Sequence, residues 1–181
     1  AGVKPATVLA RIPGMNLTRR TLFLSAAALP LLACTAAAQN IPTSANEARY
    51  AADPVRRLTE AQWRARLEPL AFRVLRQENT ERAGTSALNG EHRRGSYVCA
   101  GCGLELFRSQ WKFNSGTGWP SFSRVLETNI GTKEDILLFQ PRTEYHCARC
   151  LGHQGHVFGD GPHPTGLRYC NNGAALRFVA A

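Results

Sequence analysis

Residues 94–107 read RGSYVCAGCGLELF, and at this point the texture of the chain changes. Two short segments rich in aromatic, β-branched and aliphatic residues, 96–99 and 104–107, stand on either side of Cys99-Ala-Gly-Cys102. Such runs, bounded by glycine, read as strands. The pattern recurs downstream at residues 136–140, 143–146, 155–158, 167–170 and 175–179, each segment set off by Gly, Pro or Asn. Upstream the chain is helical in character. Thr59 can cap a helix with Glu60 in its first turn and Ala61, Trp63, Leu67 and Leu70 at roughly helical spacing. A second short helical piece runs through Phe72, Val74 and Leu75. The expected fold is mainly β, antiparallel, with short N-terminal helices.

The cysteines carry the chemistry. Cys99-Ala-Gly-Cys102-Gly103 is matched by Cys147-Ala-Arg-Cys150-Leu151-Gly152. A C-x-x-C turn presents two thiolates to one ion, and a second turn completes the tetrahedral four-cysteine set that Zn2+ prefers. The glycine near each second cysteine suits such a turn. The separation of the pairs exceeds usual zinc-ribbon spacing, so the sheet has to bring them together. The alternative is two local disulfides or redox-active pairs. Four cysteines around one structural Zn2+ per chain leave Cys170 as the one thiol of the domain. On a strand, Arg168, Cys170 and Asn172 should project from one side, where a guanidinium favours the nucleophilic thiolate and an amide can orient a substrate. The plain alternative is a buried cysteine acting as a small hydrophobe.

His153-Gln-Gly-His156 places two imidazoles just after the second cysteine turn, where they can donate protons near neutrality. His146 and His163 receive no role. In SGTGWPSF, residues 115–122, Gly116 and Gly118 free the backbone before Trp119, which can wall an apolar pocket or lie in the core with Phe122.

The chain has 181 residues, 44% hydrophobic and 19% charged, enough for one globular domain. Its formal charge of +9 includes Lys4, Arg11, Arg19 and Arg20 in an acid-free stretch, leaving +5 downstream. That is an ordinary surface and argues against a nucleic-acid partner. Residues 1–38 read as a signal: Thr18-Arg19-Arg20-Thr21-Leu22-Phe23, an apolar stretch to Leu32, then small residues. The paired arginines resemble a twin-arginine signal, implying export to the periplasm. The apolar stretch is too short for a permanent span. Two processing sites are legible, a lipoprotein box ending at Cys34, which would anchor the protein, and Ala36-Ala37-Ala38 before Gln39. Residues 1–14, before Met15, are consistent with an overextended start. Residues 39–54 read as a linker and 55–181 as the domain. Nothing points to an oligomer, so a monomer is the default.

Taken together, YVCAGCGLELF from Tyr97, KFNSGTGWPSF from Lys112, RTEYHCARC from Arg142, GHQGHVFGDGPHPTGLRYC from Gly152 and the ending NNGAALRF resemble the methionine-R-sulfoxide reductases, the MsrB family. The resemblance covers nearly all of residues 95–178. It implies two antiparallel β sheets with peripheral helices and a structural zinc on Cys99, Cys102, Cys147 and Cys150. It also implies Cys170 as nucleophile, Trp119 and Phe158 as substrate-binding residues, and His153, His156, Arg168 and Asn172 as catalytic residues. The implied partners are oxidised methionine in peptides or proteins and an external thiol reductant such as thioredoxin, in the repair of oxidative damage. Cys170 would attack the sulfoxide sulfur and become a sulfenic acid.

Two departures stand out. Thr117 occupies the position where many members of the family carry a resolving cysteine, so an external thiol is expected to reduce the sulfenic acid directly. Gln154 stands where leucine is commoner, and Gly173-Ala174 follows Asn172; both bear on substrate preference. The rival readings are a zinc-ribbon binding module with Cys170 in its core and an exported disulfide-exchange protein using the C-x-x-C pairs.

Overall fold

The computed structural model describes residues 45–136 and 141–181. The signal-like region with Cys34, the first part of the linker and residues 137–140 lie outside them. Among the described residues no helix is long and apolar enough to cross a membrane.

Three helices lead in: α1 Ala45–Ala48, α2 Glu60–Arg66 and α3 Pro69–Gln77. Thr59 caps α2 as its sequence indicates, with Gln62 returning the bond to complete a capping box. The helix stops at Arg66 because Pro69 opens the next one, and proline is tolerated only in a first turn. Leu67 and Leu70 therefore do not extend the apolar face of α2, and Leu70 is exposed. Helix α3 instead buries Ala71, Phe72, Val74 and Leu75. Residues 45–53, read above as the end of a linker, are bound to the domain. The Asn46 side-chain amide donates to the carbonyls of Glu127 and Ile130, and Asp53 caps the turn Pro54–Arg57.

The strands are β1 Gly95–Cys99, β2 Glu105–Arg108, β3 Lys112–Phe113, β4 Ser121–Phe122, β5 Ile130–Asp135, β6 Arg142–Cys147, β7 His153–Phe158, β8 Arg168–Asn171 and β9 Leu176–Ala180. They form two sheets, β2-β1-β9 and β3-β4-β8-β7-β6-β5, antiparallel throughout. Six of the seven expected segments correspond to strands; the seventh, at residues 136–140, lies outside the described residues except for Ile136. Not among the expected strands is β5, paired from Ile130↔Cys147 to Asp135↔Arg142. Its sequence, IGTKED, is too polar to be found by apolar composition. It is an edge strand, and charged side chains suit an edge.

An aromatic core supports the large sheet. Phe107 stacks on Phe122 with centroids 4.1 Å apart, Tyr97 meets Phe122 edge-on at 4.9 Å, and Tyr145 meets Tyr169 edge-on at 5.5 Å. Tyr145, Tyr169 and Phe122 sit on one side of β6, β8 and β4. By alternation, Glu144, Cys170 and Ser121 are presented on the other.

Candidate active site and metal centre

The two C-x-x-C segments fold alike although they are far apart in sequence. The first joins β1 to β2 and the second joins β6 to β7. In the first, the Cys99 amide donates to Leu104 O and the Gly103 amide to Cys99 O; in the second, Cys147 donates to Gly152 O and Leu151 to Cys147 O. The residue after each second cysteine takes a left-handed backbone, Gly103 at φ 78° and Leu151 at φ 60°. Gly152 therefore serves a different purpose from Gly103. A Cβ on it would stand 2.8 Å from Leu75 Cδ2, so it is the close approach of α3 that demands glycine.

The four Sγ atoms lie within 4.8 Å of one another. The nearest approaches run between the turns, Cys99 to Cys150 at 3.6 Å and Cys102 to Cys147 at 3.4 Å. A tetrahedral thiolate shell with bonds of ~2.3 Å spaces its sulfurs by about 3.8 Å, so this donor set fits a single four-coordinate ion. Two local disulfides would instead draw each pair together within its own turn. Three arginines surround the cluster. Arg56 donates to the carbonyls of Ala148 and Arg149, Arg76 to that of Cys150, and Arg149 to that of Cys102. Hydrogen bonding to Cys102 and burial push the Cys99 and Cys147 thiols up, while sulfhydryl donors hold Cys102 down. Buried thiols crowded in this way cannot all ionise without a cation.

On the outer face of the large sheet lies a pocket of about 170 Å³, walled by Trp119, Phe158, Arg142, His156, Asn172 and Thr80, with Cys170 in its lining. Register assembles it: β8 and β7 pair Cys170↔His156 and Arg168↔Phe158, and β4 adds Ser121↔Cys170. Each sequence-predicted residue is found near this pocket, though not all line it. His153 is buried behind His156, with ring centroids 5.5 Å apart. Three residues of spacing would put the two rings on opposite faces of a regular strand, but the register shift opposite Tyr145/His146 turns them to the same side. Arg168 stacks on Phe158 at 4.3 Å and grips Asp160 through two bonds of 2.8 and 2.9 Å.

Asn172 does not continue the alternation expected of it. Strand β8 ends at Asn171, and Asn172 leads into the 3-10 turn Gly173–Ala175, its carbonyl accepting from Ala175 N. Its buried amide accepts from Glu81 N at 2.9 Å and donates to Gln154 O at 3.1 Å. Gln154 in turn has its amide 3.5 Å from Cys99 Sγ and from the Asn171 side chain, so the departure at 154 joins the cysteine cluster to the pocket strand.

Several residues of the site escaped sequence reasoning. His156 Nε2 meets Asp135 Oδ2 at 2.7 Å, and the same carboxylate oxygen takes Arg142 at 2.6 Å. Glu144, buried, lies 3.1 Å from His153 Nδ1 and 3.0 Å from Lys133 Nζ. Burial opposes its charge, but His153 and Lys133 outweigh burial and hold its carboxyl below the usual range. The signal was present in β6, where Arg142, Glu144 and His146 alternate along a strand. Polar residues at period two on a strand with buried neighbours mark a functional face. His146 itself bonds Glu47 of α1 at 3.1 Å.

The electrostatics of Cys170 correct one expectation. Burial pushes the thiol up, and the Arg168 guanidinium and Thr117 hydroxyl pull it back only in part. Arg168 acts in the expected direction, but its charge is already shared with Asp160. In the substrate-free protein Cys170 is therefore a neutral thiol at pH 7. Its thiolate fraction should grow only as pH passes the ordinary thiol value of about 8.5. Site-resolved alkylation by iodoacetamide is expected to keep accelerating beyond pH 9. A rate already flat from pH 6 to 7 would mean a preformed thiolate. His156 is lowered, chiefly by burial, and is neutral at pH 7.

Among the described residues, a four-thiol cluster set apart from a fifth, half-buried thiol that lines a pocket with Trp119 and Phe158 is the arrangement of a thiol-dependent oxidoreductase. Residues 67–180 match the family model described as the SelR domain. The chain is 52% identical over 120 residues to a peptide methionine sulfoxide reductase MsrB of Bradyrhizobium diazoefficiens, covering 66% of this chain and 86% of that one. It is 48% identical over 121 residues to the protein of that name from Leptospira interrogans, covering 66% and 92%. To peptide methionine sulfoxide reductase B1, chloroplastic, of Arabidopsis thaliana it is 48% identical over 124 residues, covering 68% and 61%. The chain belongs to this family, the methionine-R-sulfoxide reductases.

Proposed function

We propose that this chain reduces methionine-R-sulfoxide in peptides and proteins to methionine, with Cys170 as the nucleophile. The observation that carries the reading is the cross-strand pair Cys170↔His156 on one side of a pocket walled by Trp119 and Phe158. The two aromatic rings offer an apolar seat for the substrate's S-methyl group, which sets its sulfur against Cys170 Sγ. A carboxylate paired with Arg142 accepts rather than donates, so Asp135 fixes the proton of His156 on Nε2 and leaves Nδ1 as the acceptor. His156 takes the Cys170 proton and passes it to the sulfoxide oxygen as Sγ attacks sulfur. Oxygen ends on Cys170: thiol plus sulfoxide gives sulfenic acid plus thioether. His153 and Glu144 stand behind His156 and hold its ring, while Arg168 and Asn172 fix the strand end.

Among the described residues every other cysteine lies in the cluster, and Thr117 sits against Cys170. We therefore read the sulfenic acid as reduced by two external thiols, thioredoxin-like or small, giving thiol, disulfide and water. Cys99, Cys102, Cys147 and Cys150 would hold one Zn2+, which would supply a cross-link between the two sheets and no step of the reaction. The signal-like residues 1–38 support export. The test uses the full chain with peptidyl methionine sulfoxide and dithiothreitol. Turnover of the R epimer alone is expected, with a dimedone adduct on Cys170 after one equivalent of substrate. An internal disulfide in place of the adduct would overturn direct reduction, and equal turnover of the S epimer would overturn the stereochemical assignment.

A further inference from the structure

Between α3 and β1 the chain runs along the pocket, and one acidic residue of this strap is buried. Glu81 is 4% exposed. Its carboxylate accepts from two successive backbone amides, Gly173 N at 2.6 Å and Ala174 N at 2.8 Å. Its own amide donates to Asn172 Oδ1 at 2.9 Å, and its carbonyl accepts from Trp119 Nε1 at 3.1 Å. One residue thus ties the turn after the nucleophile's strand to the indole on the opposite wall. An indole has a single donor, so that bond sets the ring's orientation.

The loop carrying Trp119 does not hold the ring by itself. Gly116 and Gly118 both have positive φ, 73° and 90°. The strap lies directly on this loop. Gly84 N donates to Gly118 O at 2.8 Å, and a Cβ on Gly118 would stand 2.9 Å from Gly84 N. A loop needing only an anchor could use an apolar side chain. A buried carboxylate is costly unless its directional bonds matter.

We propose that Glu81 is a positioning residue that sets the placement of Trp119 over Cys170, and so the fit of the pocket to the substrate's methyl group. It is absent from the pocket lining and touches no reacting atom. The consequence for substrate rests on the reductase reading above; the consequence for Trp119 does not.

The experiment compares zinc-loaded full-length wild type with Glu81→Ala and Glu81→Gln. In Glu81→Ala, KM for a peptidyl methionine-R-sulfoxide should rise roughly tenfold, the effect of losing charge-assisted hydrogen bonds, with kcat reduced less than about threefold. Glu81→Gln should fall between, because its amide keeps one acceptor and sets an N–H against the other backbone donor. Acrylamide quenching of the Trp119 emission, isolated by subtracting a Trp119→Phe protein, should increase in both variants. Site-resolved alkylation of Cys170 should change less than about twofold, because Cys170 is held in β8 by its pairing with β7 and β4 whereas Trp119 depends on the strap. The quenching readout needs no activity, so failure of the reductase reading leaves it intact. Should Glu81→Ala not fold, Glu81→Gln carries the test. Unchanged Trp119 quenching in a folded variant, or kcat falling with KM constant, would overturn the proposal.

Discussion

Changing Cys170 to serine is expected to abolish sulfoxide reduction, by at least about 10³-fold in kcat, with little effect on the fold. A serine hydroxyl fits the same space but ionises far too weakly to attack sulfur, and it cannot become a sulfenic acid. The side chain is half-buried and stands apart from the four-cysteine cluster. Stability should therefore shift within about 0.5 kcal/mol. The measurement is turnover of the R epimer by wild type and variant side by side, with zinc content and melting temperature recorded for both. Surviving activity in a folded, metal-loaded Cys170→Ser protein would remove Cys170 from the mechanism. Attention would then turn to the clustered cysteines, as in the disulfide-exchange reading.

Replacing a cluster cysteine acts on the other half of the molecule. In Cys147→Ser we expect loss of bound zinc and of a cooperatively folded domain. A structural four-cysteine zinc site is worth ~10–16 kcal/mol in small peptides, against a net stability of about 5–15 kcal/mol for a whole domain. Here the ion would bridge β1–β2 to β6–β7, so its removal loosens one sheet from the other and exposes the buried thiols to oxidation. Elemental analysis should find one zinc per wild-type chain, and a strong chelator should lower the melting temperature by more than about 10 °C. A metal-free wild type that melts normally and carries two disulfides would refute the zinc assignment.

How much of this was legible beforehand differs by residue. The cysteine turns were legible because their chemistry is local and their spacing short, whereas Cys170 stood out only beside Arg168 and Asn172, and Trp119 took its role from the family resemblance. Strand β5 stayed hidden, since its apolar partner face is supplied by β6 and its own residues are mostly polar. Asp135 acquires meaning only through a cross-strand neighbour that no local pattern contains, whereas Glu144 was within reach of the polar alternation along β6. Asn172 was found for a mistaken reason: alternation was carried one residue past the end of β8, whereas its amide in fact braces Glu81 and Gln154. Leu151 shows the same limit. A glycine one residue later drew the eye, while the left-handed position is occupied by leucine, a residue that seldom adopts it.

The small sheet has one further consequence. Its middle strand, β1, pairs on one edge with the nearby β2 and on the other with β9, from Gly95↔Ala180 to Cys99↔Leu176. During synthesis from the N-terminus, one edge of β1 waits without its partner until residues 176–180 have been made. The turn holding Cys99 and Cys102 can meet Cys147 and Cys150 earlier, so a captured metal ion would hold the nascent chain in register while β9 is still missing. Premature termination anywhere before residue 176 would leave an open strand edge, a target for aggregation and for quality-control proteases.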